Sequence, residues 1–486
     1  MSNLYVFGIG GTGARVIRSL TMLLASGVEC NMNIVPIFID PDQSANSLTK
    51  AVETIDKYVA IHRRLKFDNG KENKFFKTKI VDNIINRYVV QLQNTNDRRF
   101  RDYISIDSMD EKNQALIRML FSNDNLESGM EVGFEGNPNM GSIVLNQLKR
   151  TEGFRQFANN FTQGDKIFII SSIFGGTGAS GFPLLLKILR SCDGNMANGN
   201  ILQQSTIGAI SVLPYFSVDP RDDSPIDSST FVSKTRAALS YYHRNIIENN
   251  EIDYLYYIAD KRRNTYENNK GGNEQKNEAH LIELLSALAV IDFAQNGNPP
   301  DNGQRNTTIK EYGLNVNDEQ TEDGPETVTF NELGQITKAQ IKNPLIQFLL
   351  MNKYLKKYVK KDGTVSDKFS WNQDYKFEEK NFFNSDFYND VVTMLDWYIE
   401  WLQELSNNSR SFSPFELGDT GDKIFSIVRG ITPNKSGFLG LKKDNYELFT
   451  EKLNKYDRKD QNNELESLFM ELFYNTTNSL IRGKGL

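Results

Sequence analysis

The sequence predicts an α/β protein: a doubly wound parallel sheet followed by a smaller α+β C-terminal domain. Three observations predict it. Short β-branched runs alternate with helix-length amphipathic segments, the pattern of βα units feeding a parallel sheet. Two of those runs break directly into glycine-rich turns, at Gly8–Gly13 and at Gly175–Gly181. Two others end in an acid, Asp40 and Asp260. Glycines and acids thus gather at the carboxyl ends of the strands, where open α/β sheets hold their ligands.

At 486 residues the chain has room for two or three domains with cores of their own. Lys and Arg total 56 against 62 Asp and Glu, a mild acidity that gives no reason to expect nucleic acid or an anionic membrane as partner. Cys30 and Cys192 have no paired spacing and read as two buried thiols in a reducing cytoplasm. Three histidines leave little for a His-based metal site or a Ser-His-Asp triad. No run reaches the length of a membrane span, and the first residues open straight into a strand, so a cytoplasmic location is expected.

In chain order, Leu4–Phe7 reads as a strand, Gly8-Ile9-Gly10-Gly11-Thr12-Gly13 as a turn, and about Ala14 to Ala25 as a helix. Asn33–Ile39 is a second strand, ending in Asp40-Pro41-Asp42. Strand, GxGxxG, helix, strand and acid together favour a nucleotide. Residues 47 to about 130 read as an inserted helical segment, with apolar residues at helical spacing near Ile55 to Val59 and again from Ile80 to Val89. Its basic residues read as a solvated face. Gly136-Asn137-Pro138, then Gly141, form a second turn before an apolar helix start.

The strand Ile167–Ile170 runs into Gly175-Gly176-Thr177-Gly178-Ala179-Ser180-Gly181 and then a helix near Leu184–Arg190. Glycines there remove the Cβ atoms that would hold a phosphate off the backbone, and the helix dipole favours an anion. Strands follow at Thr206–Val212 and Tyr254–Ile258, with a helix from about Thr230 to Ile247 between them. A long apolar helix runs from Asn277 to about Gly297. The hydrophilic stretch from Gly297 to Gly324 reads as the domain boundary. The predicted division is 1–276 for a nucleotide domain, 277–297 for a central helix and 298–486 for the C-terminal domain. Trp397 and Trp401, one turn apart in a later helix, read as core.

Four features recur in a fixed order: GIGGTG, GNPNMG, FGGTGASGFP and LPYF after the next strand. Together they resemble the tubulin/FtsZ superfamily of GTP-dependent filament proteins, over roughly residues 1–297. Phe174 and Ser180 depart from that family's glycine signature, while Gly175-Gly176-Thr177-Gly178 and Pro183 keep it. The resemblance implies GTP or GDP held by Gly8, Gly10, Gly11, Thr12 and Gly13 at the α- and β-phosphates. It implies Gly136 and Asn137 at the γ-phosphate, with Gly175, Gly176, Thr177 and Gly178 around the β/γ end. It places Asp42 and Asp40 near Mg²⁺ through water, and Asp260 and Asn277 at the guanine base.

It also implies head-to-tail self-assembly, with hydrolysis completed by an acidic loop of the neighbouring subunit. The nearest counterpart of that loop is Gly313–Asp318, later along the chain than the family's, which makes Asp318 and Asn315 the candidate catalytic residues acting in trans. Two other readings stay open: a scaffold that binds GTP with little or no hydrolysis, and a Rossmann oxidoreductase using NAD(P) through GIGGTG and Asp40. A protein partner of the C-terminal domain also stays open.

Overall fold

The computed structural model describes the chain apart from residues 68–71, 96–97, 131–132, 135, 220–230, 262–263, 268–271, 273, 275, 300–304, 312–323, 419–420, 435–445 and 457–463. Its centre is a six-stranded, all-parallel sheet. The strands are β1 (Asn3–Ile9), β2 (Asn33–Ile39), β3 (Lys166–Ser172), β4 (Thr206–Val212), β5 (Tyr254–Ile258) and β6 (Thr308–Glu311), in the spatial order 2-1-3-4-5-6. The first four are almost wholly buried. Burial on both faces explains why they read as continuous apolar runs and not as alternating ones. The doubly wound sheet expected from the sequence is the one observed.

The helices that matter for the site are α1 (Gly10–Ala25), α2 (Asn46–His62), α3 (Glu111–Leu120), α4 (Pro138–Leu145), α5 (Gly176–Arg190), α6 (Phe231–Tyr242) and α7 (Leu281–Asn296). Three more, α8 (Gln335–Tyr358), α9 (Asp386–Ser406) and α10 (Leu465–Lys484), form most of the C-terminal part. Strand is sparser there than expected: among the described residues it amounts to one parallel pair, Thr327–Val328 with Ser411–Phe412. One hydrophobic cluster runs from β1 through α7 into α8, α9 and α10, and Trp401 is buried in it.

Several boundaries moved for physical reasons. Both glycine turns are themselves the first turns of helices: α1 begins at Gly10 and α5 at Gly176, because docking onto the sheet outweighs glycine's poor helix propensity. In place of the helix expected near Ile80–Val89 the chain runs through bends and one 3-10 turn at Asn86–Tyr88. Ile80 bridges Ile34 and Val89 bridges Phe38, so this segment covers the open edge of β2. The central helix starts at Leu281, four residues after Asn277, with His280 as N-cap and Glu283 closing a capping box. The edge strand β6 comes from inside the hydrophilic stretch that read as a domain boundary.

Candidate functional site

Strand order reverses between β1 and β3, since β2 lies on one side and β4 on the other. That crevice is the topological switch point, where such sheets bind ligands. Both bordering strands feed straight into helices. Gly10, at φ +69°, makes the turn from β1 into α1, a left-handed conformation that disfavours any side chain. Neither N-cap, Ile9 for α1 and Gly175 for α5, offers a side-chain acceptor, and neither first turn holds an acid. Two helix N-termini therefore present unsatisfied N–H groups and positive dipole ends side by side.

The loops meet closely. A methyl group built on Gly10 would lie 3.5 Å from Thr177 Cβ and 3.8 Å from the Gly178 nitrogen. One built on Gly133, at φ +93°, would lie 4.0 Å from Thr177 Oγ1. One built on Gly176 would lie 3.1 Å from the Asn137 nitrogen and 3.2 Å from that of Gly136. Three turns far apart in sequence thus converge around Thr177. The third differs in one respect: Asn137 caps α4 itself, accepting from the Asn139 and Met140 nitrogens at 3.0 and 3.3 Å. Lys234 reaches this turn from α6, its Nζ donating to the Gly136 carbonyl at 3.0 Å.

Some of the predicted glycines have a packing duty. A Cβ on Gly13 would fall 2.5 Å from the carbonyl carbon of Gly8, and one on Gly178 would fall 2.5 Å from the Ser172 oxygen. Gly8, Gly13 and Gly178 are therefore what lets α1 and α5 sit tight on β1 and β3. One on Gly175 would lie 3.1 Å from Ser172 Oγ, and one on Gly11 would touch only side-chain atoms of Arg15 and Ser47, at 3.4 and 3.9 Å.

Beneath the first loop lies a buried charge network that sequence reasoning missed. Arg15 Nε donates to Glu283 Oε1 at 2.5 Å, and its other nitrogens donate to the Tyr215 hydroxyl at 2.8 Å and to Ser47 Oγ at 3.1 Å. Tyr215 donates to Glu283 at 2.6 Å, and the His280 N–H donates to the other Glu283 oxygen at 3.0 Å. Burial works against the charge on Arg15, but Tyr215 and Glu283 outweigh it and raise its pKa further. Burial lowers His280 to about 4, so the imidazole is neutral at pH 7. Thr12 Oγ1 lies 3.4 Å from both Arg15 and Tyr215, turned toward this network. A signal existed: Arg15 and Glu283 stand in otherwise apolar helical runs, where Arg18 and Asp292 are the other charges.

The predicted acids have partners. Asp42 is buried; its Oδ1 accepts from Ser44 and its Oδ2 from the Gly272 nitrogen at 2.7 Å. Burial lifts Asp40 to about 7, against the Asp42 N–H that it accepts and the charge of Arg15. Among the described residues no group of three or more His, Cys, Asp or Glu side chains could cage a metal ion. Asp260 is gripped by Arg410 in a buried two-pronged pair at 2.8 Å on each side. Any base-reading by Asp260 competes with that fork. Asn277 is half-buried in the segment leading to α7. Asn315 and Asp318 lie outside the described residues.

No family model and no curated protein matches the chain. Among solved structures, CetZ2 from Haloferax volcanii, a GTPγS-bound protofilament, aligns at 13% identity and a TM-score of 0.26, over 53% of this chain and 49% of that one. CetZ1 from the same organism, a GDP-bound monomer, aligns at 13% identity and TM-score 0.26, over 53% and 51%. TubZ from Bacillus thuringiensis serovar israelensis, a GTPγS-form protofilament, aligns at 14% identity and TM-score 0.24, over 82% and 81%. The chain thus spans about half the length of the CetZ structures. The fold described above rests on the sheet itself and not on these scores. No helix among the described residues is long and apolar enough to cross a membrane.

Proposed function

We propose that the chain binds GTP in the crevice between β1 and β3, assembles head to tail into filaments, and hydrolyses GTP to GDP and phosphate where subunits meet. One observation carries the nucleotide: two helix N-termini without side-chain caps, α1 and α5, converge with the Gly133–Asn137 turn around Thr177. Backbone N–H groups of Gly11 and Thr12 would face the inner phosphates. Those of Gly176 and Thr177, with Gly136 and Asn137, would face the terminal one. A dinucleotide fold needs one such N-terminus at its pyrophosphate; the second, on α5, favours a longer polyphosphate over NAD(P).

The chemistry would be transfer of the terminal phosphoryl group to water, which asks the protein for positioning and for neutralisation of charge. Mg²⁺ would travel on the phosphates, since the described acids form no cage of their own. Asp318 and Asn315 of a neighbouring copy are the groups proposed to orient the water. A head-to-tail contact that does not close on itself propagates as a filament.

The test is a fluorescent GTP-analogue titration, with sedimentation and phosphate release followed over a protein concentration series. Saturable binding displaced by GTP but not by NAD, with turnover per subunit rising with concentration, is the expected result. Binding and sedimentation without turnover would leave the GTP-gated scaffold. Displacement by NAD alone would remove the reading.

A further inference from the structure

The cradle around Thr177 is made of backbone, and two side chains stand at its edge. Gly10 and Gly11 are neighbours at the head of α1, yet they face different company. A methyl group built on Gly10 would meet Thr177 Cβ at 3.5 Å, on the α5 side. One built on Gly11 would meet an Arg15 terminal nitrogen at 3.4 Å and Ser47 Oγ at 3.9 Å, on the α2 side. A ligand lying across the head of α1 with its outer end at Thr177 has its inner end beside Ser47.

Arg15 is almost wholly buried and ties together the elements around that inner end. Its Nε donates to Glu283 on α7, one terminal nitrogen to Tyr215 after β4 and to Thr12 on α1, and the other to Ser47 Oγ on α2 at 3.1 Å. The last bond decides what Ser47 can do. A hydroxyl has one proton and two lone pairs. With a lone pair given to Arg15, the proton points elsewhere, and among the described residues it meets no acceptor. Ser47 is half-buried, so a ligand can reach it.

The charges nearby are otherwise engaged. Glu283 accepts from Arg15, Tyr215 and the His280 N–H, Asp42 from Ser44 and Gly272, and Asp40 from the Asp42 N–H. Lys50, the next cation on α2, is drawn off to Glu400 and Glu404. The Asn46 N–H that opens α2 donates to the Gly272 carbonyl at 3.3 Å, so a side chain and not the head of that helix faces the inner end.

We propose that Ser47 donates its hydroxyl proton to an inner-phosphate oxygen of the bound nucleotide, and that Arg15 is the positioning residue that aims it. This rests on the nucleotide reading and names a group for the end of the ligand away from α5. A hydrogen bond to a charged phosphate oxygen is stronger than one between neutral groups, and the Arg15 charge, fixed by Glu283, stands at the same place.

The experiment titrates a fluorescent GTP analogue and displaces it with GTP or GDP. It compares wild type, Ser47→Ala, Ser47→Thr, and a neutral pair, Arg15→Met with Glu283→Gln, the last with and without Ser47→Ala. Exchanging both charges of a buried pair for neutral groups of similar size is well tolerated, and matched urea melts confirm that each variant folds. Ser47→Ala is expected to weaken GTP and GDP alike, by about tenfold, because both carry the inner phosphates. Ser47→Thr keeps the hydroxyl and should bind like wild type. In the neutral pair, where nothing aims the hydroxyl, Ser47→Ala should cost less than about threefold more. Four results would overturn the proposal: Ser47→Ala binding like wild type, Ser47→Thr losing as much as Ser47→Ala, a loss confined to GTP, or an undiminished loss in the neutral pair. Failure of wild type to bind either nucleotide would remove the nucleotide reading itself, and this assignment with it.

Discussion

Two sets of glycines in this chain do opposite work. Gly8, Gly13 and Gly178 face inward, where an added methyl group would strike backbone at 2.5 to 3.0 Å. Gly10, Gly11 and Gly133 face the crevice, where the nearest atoms stand at 3.4 to 4.0 Å. The inner set lets helices approach strands; the outer set leaves N–H groups uncovered. Both come from the same motifs, and Gly13 and Gly11 are two residues apart. A glycine-rich turn is therefore two devices in one, and each variant below is chosen to break one of them.

The largest effect is expected beneath the outer set, where Glu283 holds Arg15. Glu283→Ala strands a buried guanidinium, and removing one partner of such a pair costs about 3–5 kcal/mol. Urea denaturation followed by circular dichroism measures it. A loss below about 1 kcal/mol would mean that solvent reaches Arg15 and the network is not a structural support. Next comes the inner set. Gly13→Ala forces α1 off β1 and is expected to cost roughly 1–3 kcal/mol, read in the same way. If it proves neutral, the two sets are not distinct.

These contrasts show what the sequence could carry. The sheet was legible because its strands are short, β-branched and spaced by helix-length segments, and because both glycine turns follow such runs. The candidate site was legible as three turns, since Gly10, Thr177 and Gly136 sit in local patterns. Which glycines face the crevice was not legible, because that depends on the angle at which α1 and α5 dock. The Arg15–Glu283 pair spans 268 positions, and no local rule joins its ends. Asp260 was placed at the base by the resemblance alone, and its fork with Arg410, 150 residues on, left no local signal. The segment Ile80–Val89 has helical spacing, yet pairing with the edge of β2 outweighs that local preference.

A smaller effect per pH unit is expected from Asp40, buried just past the end of β2. Burial raises Asp40 to about 7, so between about pH 4 and 7 the folded chain holds a proton that the unfolded chain has released. Stability from this group therefore falls as pH rises through that window, by up to about 1.4 kcal/mol per unit, and levels off above it. Asp40→Asn should flatten the dependence, measured as urea midpoints across the window. An unchanged slope would show that Asp40 is ionised throughout.

The smallest change in stability is expected from Gly11→Ala, and it tests the comparison most sharply because its two readouts have opposite signs. Gly11 lies in the first turn of α1, outside the left-handed region, and a methyl group there would meet only side-chain atoms of Arg15 and Ser47. Alanine restricts the unfolded chain more than glycine does, so the variant should gain up to about 1 kcal/mol. The same methyl would stand over the N–H groups proposed to hold phosphate, and GTP-analogue affinity should fall by about tenfold. Loss of both stability and binding would put Gly11 with the inner set. Gain of stability with binding intact would mean that the crevice holds its ligand elsewhere than over the head of α1.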